Sequence, residues 1–318
     1  MLPRFRCPIR RPTARRLKAF LPAAALGGLA AACSPLGTID ALTAYDAGAA
    51  KVADGVAYGP AARQRLDVYA PVETGAPATA ETGAGDRRHP VVVFVYGGSW
   101  AGGDRRHYGF LGHALAARGF VTVVPDYRLV PEVTYPAFVE DAAAAVRWAR
   151  AHAGRYGGDP GRLAVAGHSA GAYNAVMLAT DPQYTDPDSP DHLPLDAAVG
   201  LAGPYDFLPL DVDVTRRAFA GTPDLPATQP VNIVTGQGPA LLLAHGADDT
   251  TVRPANSRAL AQAARAHGRA VTLTIYPETG HAEILLAFSR LFRGEPPVLA
   301  DVTAFLRREL TPRAVPTR

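Results

Sequence analysis

Hydrophobic and polar positions follow two alternating periods along most of this chain. Short unbroken apolar runs, rich in Val, Leu and aromatic residues, are followed by longer stretches in which apolar residues recur every three or four positions. "QRLDVYAP" at 64–71, "VVVFVY" at 91–96 and "FVTVVPDY" at 120–127 are of the first kind and predict strands. So are "RLAVAGHS" at 162–169, "AAVGLAG" at 197–203, "ALLLAHG" at 240–246 and "AVTLTIYP" at 270–277. Helices are predicted near 108–118, ending at Gly119, and at 137–155, where Val139, Ala142, Ala143, Val146 and Ala149 share a face. Others follow at "AGAYNAVMLA" directly after Ser169, at 256–268, at 281–292 and at 297–310. Gly157-Gly158-Asp159-Pro160 predicts a turn. Continuous apolar strands alternating with helices predict an α/β fold, with a mostly parallel central sheet covered by helices on both faces.

The pattern shows no internal repeat and no domain break after residue 60. "VETGAPATAETGAGDRRH" at 72–89 has no apolar period and reads as a surface loop. The expected organisation is a leader at 1–32, a tether and lead-in at 33–59, one catalytic domain at 60–310 and a tail at 311–318. Nothing in the pattern sets an oligomeric state.

Charge changes the picture only at the start. The 318 residues carry a formal net charge of +3, but residues 1–18 hold seven basic residues and no acid. The rest of the chain is therefore mildly acidic, and no basic patch argues for nucleic acid. The apolar stretch "AFLPAAALGGLAAAC" at 19–33 is too short for a comfortable membrane span and ends in small residues, as a secretory signal peptide does. "LAAAC" resembles a bacterial lipoprotein processing site. That resemblance implies lipidation of Cys33 and an exported protein anchored to a membrane, facing the periplasm or the cell surface. The alternative is a soluble secreted protein. Cys7 and Cys33 are the only cysteines, so a processed chain has no disulfide.

The candidate chemistry sits at strand ends. "GHSAG" places Ser169 between a buried strand and a helix with no linker. Only small neighbours such as Gly167 and Gly171 permit so sharp a corner, which presents the hydroxyl at a helix N-terminus. A serine nucleophile needs a base and an orienting acid. "LLLAHGADDTTVRP" at 241–254 offers Asp248 and Asp249, and "LTIYPETGHAEI" at 273–284 offers His281. Both leave the carboxyl ends of strands, the edge where open α/β sheets build their sites. His168 and His245 read as bystanders. An oxyanion formed on attack needs N–H donors. Ala170 after the nucleophile, with Gly98 and Ser99 in the "YGGSW" turn, can supply them, and glycine there would spare the substrate carbonyl a Cβ. Trp100, Tyr205, Phe207 and Leu208 are candidates for the pocket wall, as are Leu285, Leu286 and Phe288. No metal-ligand spacing, dinucleotide fingerprint or P-loop occurs, so no cofactor is expected.

Together these segments resemble the α/β-hydrolase superfamily, in its carboxylesterase/lipase branch of hormone-sensitive-lipase-like, feruloyl-esterase-like and kynurenine-formamidase-like enzymes. "YGGSW" is similar to the branch's H-G-G-x-W turn, "VVPDYRLVPEVTYPAFVED" to the segment that follows, "GHSAG" to its nucleophile corner and "HGADDTTV" to its acid loop. The resemblance spans about residues 60–310. It implies a Ser169–Asp249–His281 triad, since its H-G-x-x-D-x-x-V register selects Asp249 over Asp248. It implies hydrolysis of carboxylic esters of small or medium acyl groups through an acyl-enzyme, with a small-molecule ester as the partner. Tyr96 stands where the branch has histidine, which would shift the pocket's polarity and keeps amidase, formamidase or peptidase chemistry open. A non-catalytic surface lipoprotein is a third reading, disfavoured by the intact set of reactive residues.

Overall fold

A computed structural model describes residues 35–72 and 88–311 of the chain. The expected leader with Cys33, nearly all of the 72–89 loop and the tail after Thr311 lie outside the described residues. Eight strands form one sheet: β1 (Ala49–Ala57), β2 (Arg65–Pro71), β3 (His89–Val95), β4 (Val121–Pro125), β5 (Gly158–His168), β6 (Ala197–Leu201), β7 (Ala240–Gly246) and β8 (Val271–Tyr276). Their order is β1-β2-β4-β3-β5-β6-β7-β8. Pairing is antiparallel for β1–β2 and β2–β4 and parallel from β4 to β8. The helices are α1 (Pro35–Leu42), α2 (Gly109–Ala116), α3 (Ala137–His152), α4 (Ala170–Thr180), α5 (Pro182–Thr185), α6 (Asp213–Ala218), α7 (Pro230–Ile233), α8 (Ala255–Ala266), α9 (Glu283–Leu286) and α10 (Val298–Glu309). This is the mostly parallel, helix-covered α/β-hydrolase sheet that the apolar pattern predicts. All residues of β4 and β6 are buried, as strands covered on both faces must be.

Three expectations are corrected. Residues 35–57, expected to be tether and lead-in, belong to the folded body. β1 pairs along β2 from Ala49↔Pro71 to Ala57↔Arg65. The sequence hides this strand because "AAKVADGVA" has no apolar run: as an edge strand it needs little burial, and none of its residues is buried. Next, Gly157 alone makes the expected 157–160 turn, with φ +77°. Gly158 and Asp159 already pair with His89 and Pro90 before a register shift leads to Val91↔Leu163. Last, the helix expected over 281–292 is a single turn, α9. Beyond it, Phe288 and Ser289 donate to Leu285 and Leu286 in a tighter three-residue spacing. Ser289 Oγ then meets Thr43 Oγ1 at 3.0 Å, and Arg293 takes the Phe288 carbonyl at 2.7 Å.

The N-terminal segment is locked by a buried carboxylate. Asp40 Oδ1 accepts the Phe110 amide at 2.6 Å, at the open N-terminus of α2, and Oδ2 accepts Tyr45 Oη at 2.9 Å. A carboxylate placed there satisfies an amide the helix cannot and favours the positive end of its dipole. Asp40→Ala is expected to destabilise the protein by about 1–3 kcal/mol, the cost of orphaning a buried donor. Chemical denaturation measures it, and an unchanged midpoint would return this segment to the status of a tether.

Candidate active site

β5 runs straight into α4, and Ser169 is the corner between them. Its backbone has φ 55° and ψ −124°, a conformation disfavoured for any residue with a Cβ. The corner is held because Ser169 N donates to Leu201 O at 2.9 Å. Glycines make room for it. A Cβ on Gly171 would strike the carbonyls of Val95 and Tyr96, and one on Gly167 would strike Gly171 itself. A Cβ on Gly97 would come within 2.8 Å of both the Ser169 Cβ and the His168 carbonyl.

The loops after β7 and β8 bring two further groups to this corner. His281 Nε2 lies 2.9 Å from Ser169 Oγ, and its Nδ1 lies 2.7 Å from Asp249 Oδ2. Asp249 Oδ1 accepts the amides of Thr251 and Val252, both at 2.9 Å. A carboxylate fixed in this way draws the proton to Nδ1 and leaves the Nε2 lone pair for the serine hydroxyl. Burial pushes the Asp249 pKa up. Hydrogen bonds from His245, His281 and the Val252 amide outweigh that and hold it below the usual carboxylate range. Asp248 is exposed, with its amide given to Thr279 O at 3.0 Å. Geometry thus separates the two adjacent aspartates: Asp249 reaches the histidine and Asp248 does not.

Two histidines read as bystanders also touch this set. His168 is buried, with Nε2 2.9 Å from the His281 carbonyl and the two rings 4.8 Å apart. Burial, aided by the neighbouring His281, pushes its pKa down to about 3, so the ring is neutral and donates Nε2–H to that carbonyl. His245 is fully buried against Asp249. Sequence reasoning missed both because their positions next to Ser169 and at a strand end said nothing of where the rings point.

The turn after β3 has Gly98, Ser99 and Trp100 at φ 132°, 53° and 55°. Consecutive positive φ values aim successive amides to one side, a nest suited to an anion. Among the described residues no hydrogen bond engages the amides of Gly98, Ser99 or Ala170. Ser99 and Ala170 line the cavity at Ser169, while Gly98 stands one residue behind it. The need for glycine is corrected: a Cβ on Gly98 would strike the Gly102 carbonyl across the turn, so turn closure rather than substrate approach demands it. Tyr96 is fully buried and braces the turn from behind, with its hydroxyl donating to Asp126 Oδ1 at 2.6 Å and accepting Arg63 Nη2 at 2.8 Å. It does not line the cavity and so does not alter its polarity.

That cavity has a volume of about 560 Å³. Trp100, Phe207 and Leu208 form an apolar wall, and Thr251, Arg253 and Asp206 a polar one. Trp100 is fixed by its indole N–H to Asn174 Oδ1 at 3.0 Å and by edge contacts with Tyr173 and Phe219. Tyr205 and Leu285, expected in the pocket, are core residues instead. Asn256 Oδ1 captures the amides of Tyr205 and Asp206 at 2.8 Å, and the Tyr205 ring packs into the space left by Gly200 and Gly203. Leu285 is buried in α9, as Phe288 is just after it, and neither these two nor Leu286 lines the cavity. Among the described residues no group of three or more His, Cys, Asp or Glu side chains is placed to hold a metal ion.

The sequence profile of the BD-FAE family matches residues 79–264. The chain belongs to the BD-FAE family. The match takes in Ser169 and Asp249 and stops short of His281. Esterase LipC of Mycobacterium tuberculosis (strain ATCC 25618 / H37Rv) is 33% identical over 221 residues, 63% of this chain and 55% of that protein. Esterase LipQ of the same organism is 31% identical over 262 residues, 76% and 59%. The probable isoprenylcysteine alpha-carbonyl methylesterase ICMEL1 of Oryza sativa subsp. japonica is 30% identical over 258 residues, 74% and 58%. The chain thus spans under two thirds of these curated relatives. Among solved structures, a truncated carbohydrate esterase from gut microbiota matches with TM-score 0.67 at 22% identity, covering 84% of this chain and 98% of that one. An inhibited esterase B from Lactobacillus rhamnosis matches with TM-score 0.68 at 19% identity, over 86% and 90%. Likeness at such identities shows the shared fold.

The neutral His168 makes stability depend on pH. The unfolded chain takes up this proton at about 6.5 and the folded chain at about 3, so the unfolded state binds more protons within that window. Stability contributed by the neutral ring is complete above the window and is lost as pH falls through it. Thermal unfolding across this range is expected to show a falling midpoint, and His168→Gln, which keeps a donor but cannot titrate, is expected to flatten the fall. An equal slope in both proteins would show that His168 carries no such linkage.

Proposed function

We propose that the protein hydrolyses carboxylic esters of small or medium acyl groups, with Ser169 as nucleophile, His281 as base and Asp249 as orienting acid. The observation that carries this reading is the continuous contact Ser169 Oγ–His281 Nε2–His281 Nδ1–Asp249 Oδ2, at 2.9 Å and 2.7 Å, at the mouth of the cavity. As Oγ attacks the ester carbonyl carbon, its proton passes to Nε2. The carbonyl oxygen becomes an oxyanion, met by the free amides of Ser99 and Ala170 and backed by Gly98. The C–O bond to the alcohol then breaks, and Nε2–H protonates the departing oxygen. The acyl group remains on Oγ. Water enters, gives its proton to Nε2 and attacks the acyl carbon, and Oγ leaves with that proton as the acid is released. Asp249 stabilises the imidazolium in both halves without taking its proton. The matched relatives named as esterases support an ester over an amide. A cavity of about 560 Å³ with one apolar wall suits a short acyl chain better than a long one.

Ser169→Ala is expected to abolish turnover of p-nitrophenyl esters while the protein stays folded. Asp249→Asn is expected to lose on the order of ten-thousandfold in kcat, because the amide misdirects the imidazole tautomer. Asp248→Asn is expected to lose less than about tenfold, since an exposed surface charge contributes little. Steady-state kinetics of the three variants on one activated ester decides, and a reversed order of the two aspartates would exclude Asp249 as the acid.

The proposal places the enzyme on a membrane through lipidated Cys33, on the support of the basic, apolar, small-residue leader that precedes it. Among the described residues no helix is long and apolar enough to cross a membrane. Cys33→Ser is expected to move the protein from the membrane fraction to the soluble fraction. An unmodified mature N-terminus at another residue, found by mass spectrometry, would overturn the anchor.

A further inference from the structure

His245 ends β7 and is fully buried, so each ring nitrogen must find a partner within the protein. Nδ1 lies 2.8 Å from Ser257 Oγ on α8. Nε2 lies 2.8 Å from the Val252 carbonyl oxygen. A carbonyl oxygen can only accept, so Nε2 carries the hydrogen and Nδ1 accepts the Ser257 hydroxyl. The tautomer is therefore set by chemistry at both ends of the ring. The same Nε2–H stands 3.2 Å from Asp249 Oδ2, the oxygen that His281 Nδ1 approaches at 2.7 Å.

We propose that His245 is a positioning residue for the acid: an imidazole, oriented by Ser257, that anchors the 249–252 loop through the Val252 carbonyl and sets Nε2 beside the carboxylate oxygen used by His281. This inference rests on the reading of Ser169, His281 and Asp249 as a reacting set. Two consequences follow. The carboxylate cannot swing away from His281, because Oδ1 is held by two loop amides and Oδ2 lies between two imidazoles. Part of the charge on Oδ2 is also drawn toward His245, so the imidazolium form of His281 gains less from its acid. The depressed pKa of Asp249 is consistent with a donor on that side, since the His245 contact is the first of those that oppose its burial. The groups facing His281 are Ser169, Asp249 and His168, and those facing Asp249 are His281 and His245. His168, with its pKa pushed down to about 3 by burial, keeps its neutral form above that value and does not compete with His281 for the proton.

Nitrogen-15 NMR of the full chain labelled at histidine reads this without any substrate. His245 in the unaltered protein is expected to remain in the neutral Nε2–H tautomer while His281 titrates. His245→Leu is expected to raise the His281 midpoint by about half to one pH unit, roughly a three- to tenfold gain in proton affinity. The acid limb of kcat/KM should move with it. His245→Gln, whose amide nitrogen falls near the position of Nε2, is expected to return both toward their original values. Should the leucine variant not fold, Ser257→Ala carries the test. Loss of the hydroxyl is expected to admit the Nδ1–H tautomer and to move the His281 midpoint in the same direction. An Nδ1–H or charged His245 in the unaltered protein overturns the proposal. So does a folded His245→Leu protein with an unmoved His281 midpoint. Turnover retained by Ser169→Ala would instead overturn the esterase reading, and the His281 titration, which needs no turnover, would still decide the role of His245.

Discussion

The corner at Ser169 is the constraint from which the rest of the site is built. A residue with a Cβ held at φ 55° and ψ −124° costs about 1–3 kcal/mol, and the structure must over-determine it to keep it. Three contacts do so. The Ser169 amide is bonded across to β6, α4 lies against the carbonyl end of β3 through Gly171, and Gly97 closes over the serine from the oxyanion turn. None of these can relax alone, because each presses backbone or Cβ atoms together at positions where a larger residue has no room. The serine is therefore delivered by the packing of three parallel strands and one helix rather than by a loop.

The oxyanion turn inherits its rigidity from farther away. Tyr96 at its base joins a buried ionic cluster in which Asp126 also takes the Arg105 amide at 2.8 Å and the Arg105 guanidinium at 2.6 Å. Arg105 continues to Asp67 at 2.7 Å, and Asp67 to Lys51 at 2.9 Å. Asp67 is fully buried, and hydrogen bonds from Lys51, Gly55 and Arg105 overcome its burial to keep it ionised. A buried ionic cluster is costly to break one partner at a time, so it fixes geometry more than it adds stability. The edge strand β1 thereby connects to the turn that would hold the oxyanion. The antiparallel end of the sheet, far from the nucleophile in sequence, is part of what keeps the turn in shape.

The three histidines around Asp249 and Ser169 divide into one that meets solvent and two that do not. His281 is partly exposed, with 18% of its side chain accessible, so water can exchange protons with it. His168 and His245 are buried beneath it and each gives its Nε2–H to a carbonyl. Burial keeps the His168 ring neutral, so its hydrogen bond persists as the pH changes. His281, the proposed base, thus lies against fixed donors that need not reorganise when a proton passes through its ring.

The alternation of apolar runs and helical periods was enough to set the fold class, because parallel strands buried on both faces carry few polar residues to obscure them. It also singled out the proposed nucleophile and base, since Gly167, Gly171 and the strand-to-helix corner leave Ser169 few alternatives, and Gly280-His281 follows the last strand. Other features depended on contacts between residues distant in the chain. β1 and α1 carry no strong local signal, because an edge strand and a short helix take their stability from Asp67 and Asp40 reaching partners elsewhere. Asp248 and Asp249 are chemically the same residue, and only the loop's hydrogen bonds to Thr279, Thr251 and Val252 turn one outward and one inward. Tyr205 and Phe207 are both aromatic and two positions apart, yet Asn256 and the space above Gly200 send the first into the core while the second lines the cavity. Local sequence determines which elements form and where the chain turns, because those depend on near neighbours. The direction in which a buried ring or carboxylate points is decided by partners that the folded loops and neighbouring strands bring to it, and that information exists only once the sheet has assembled.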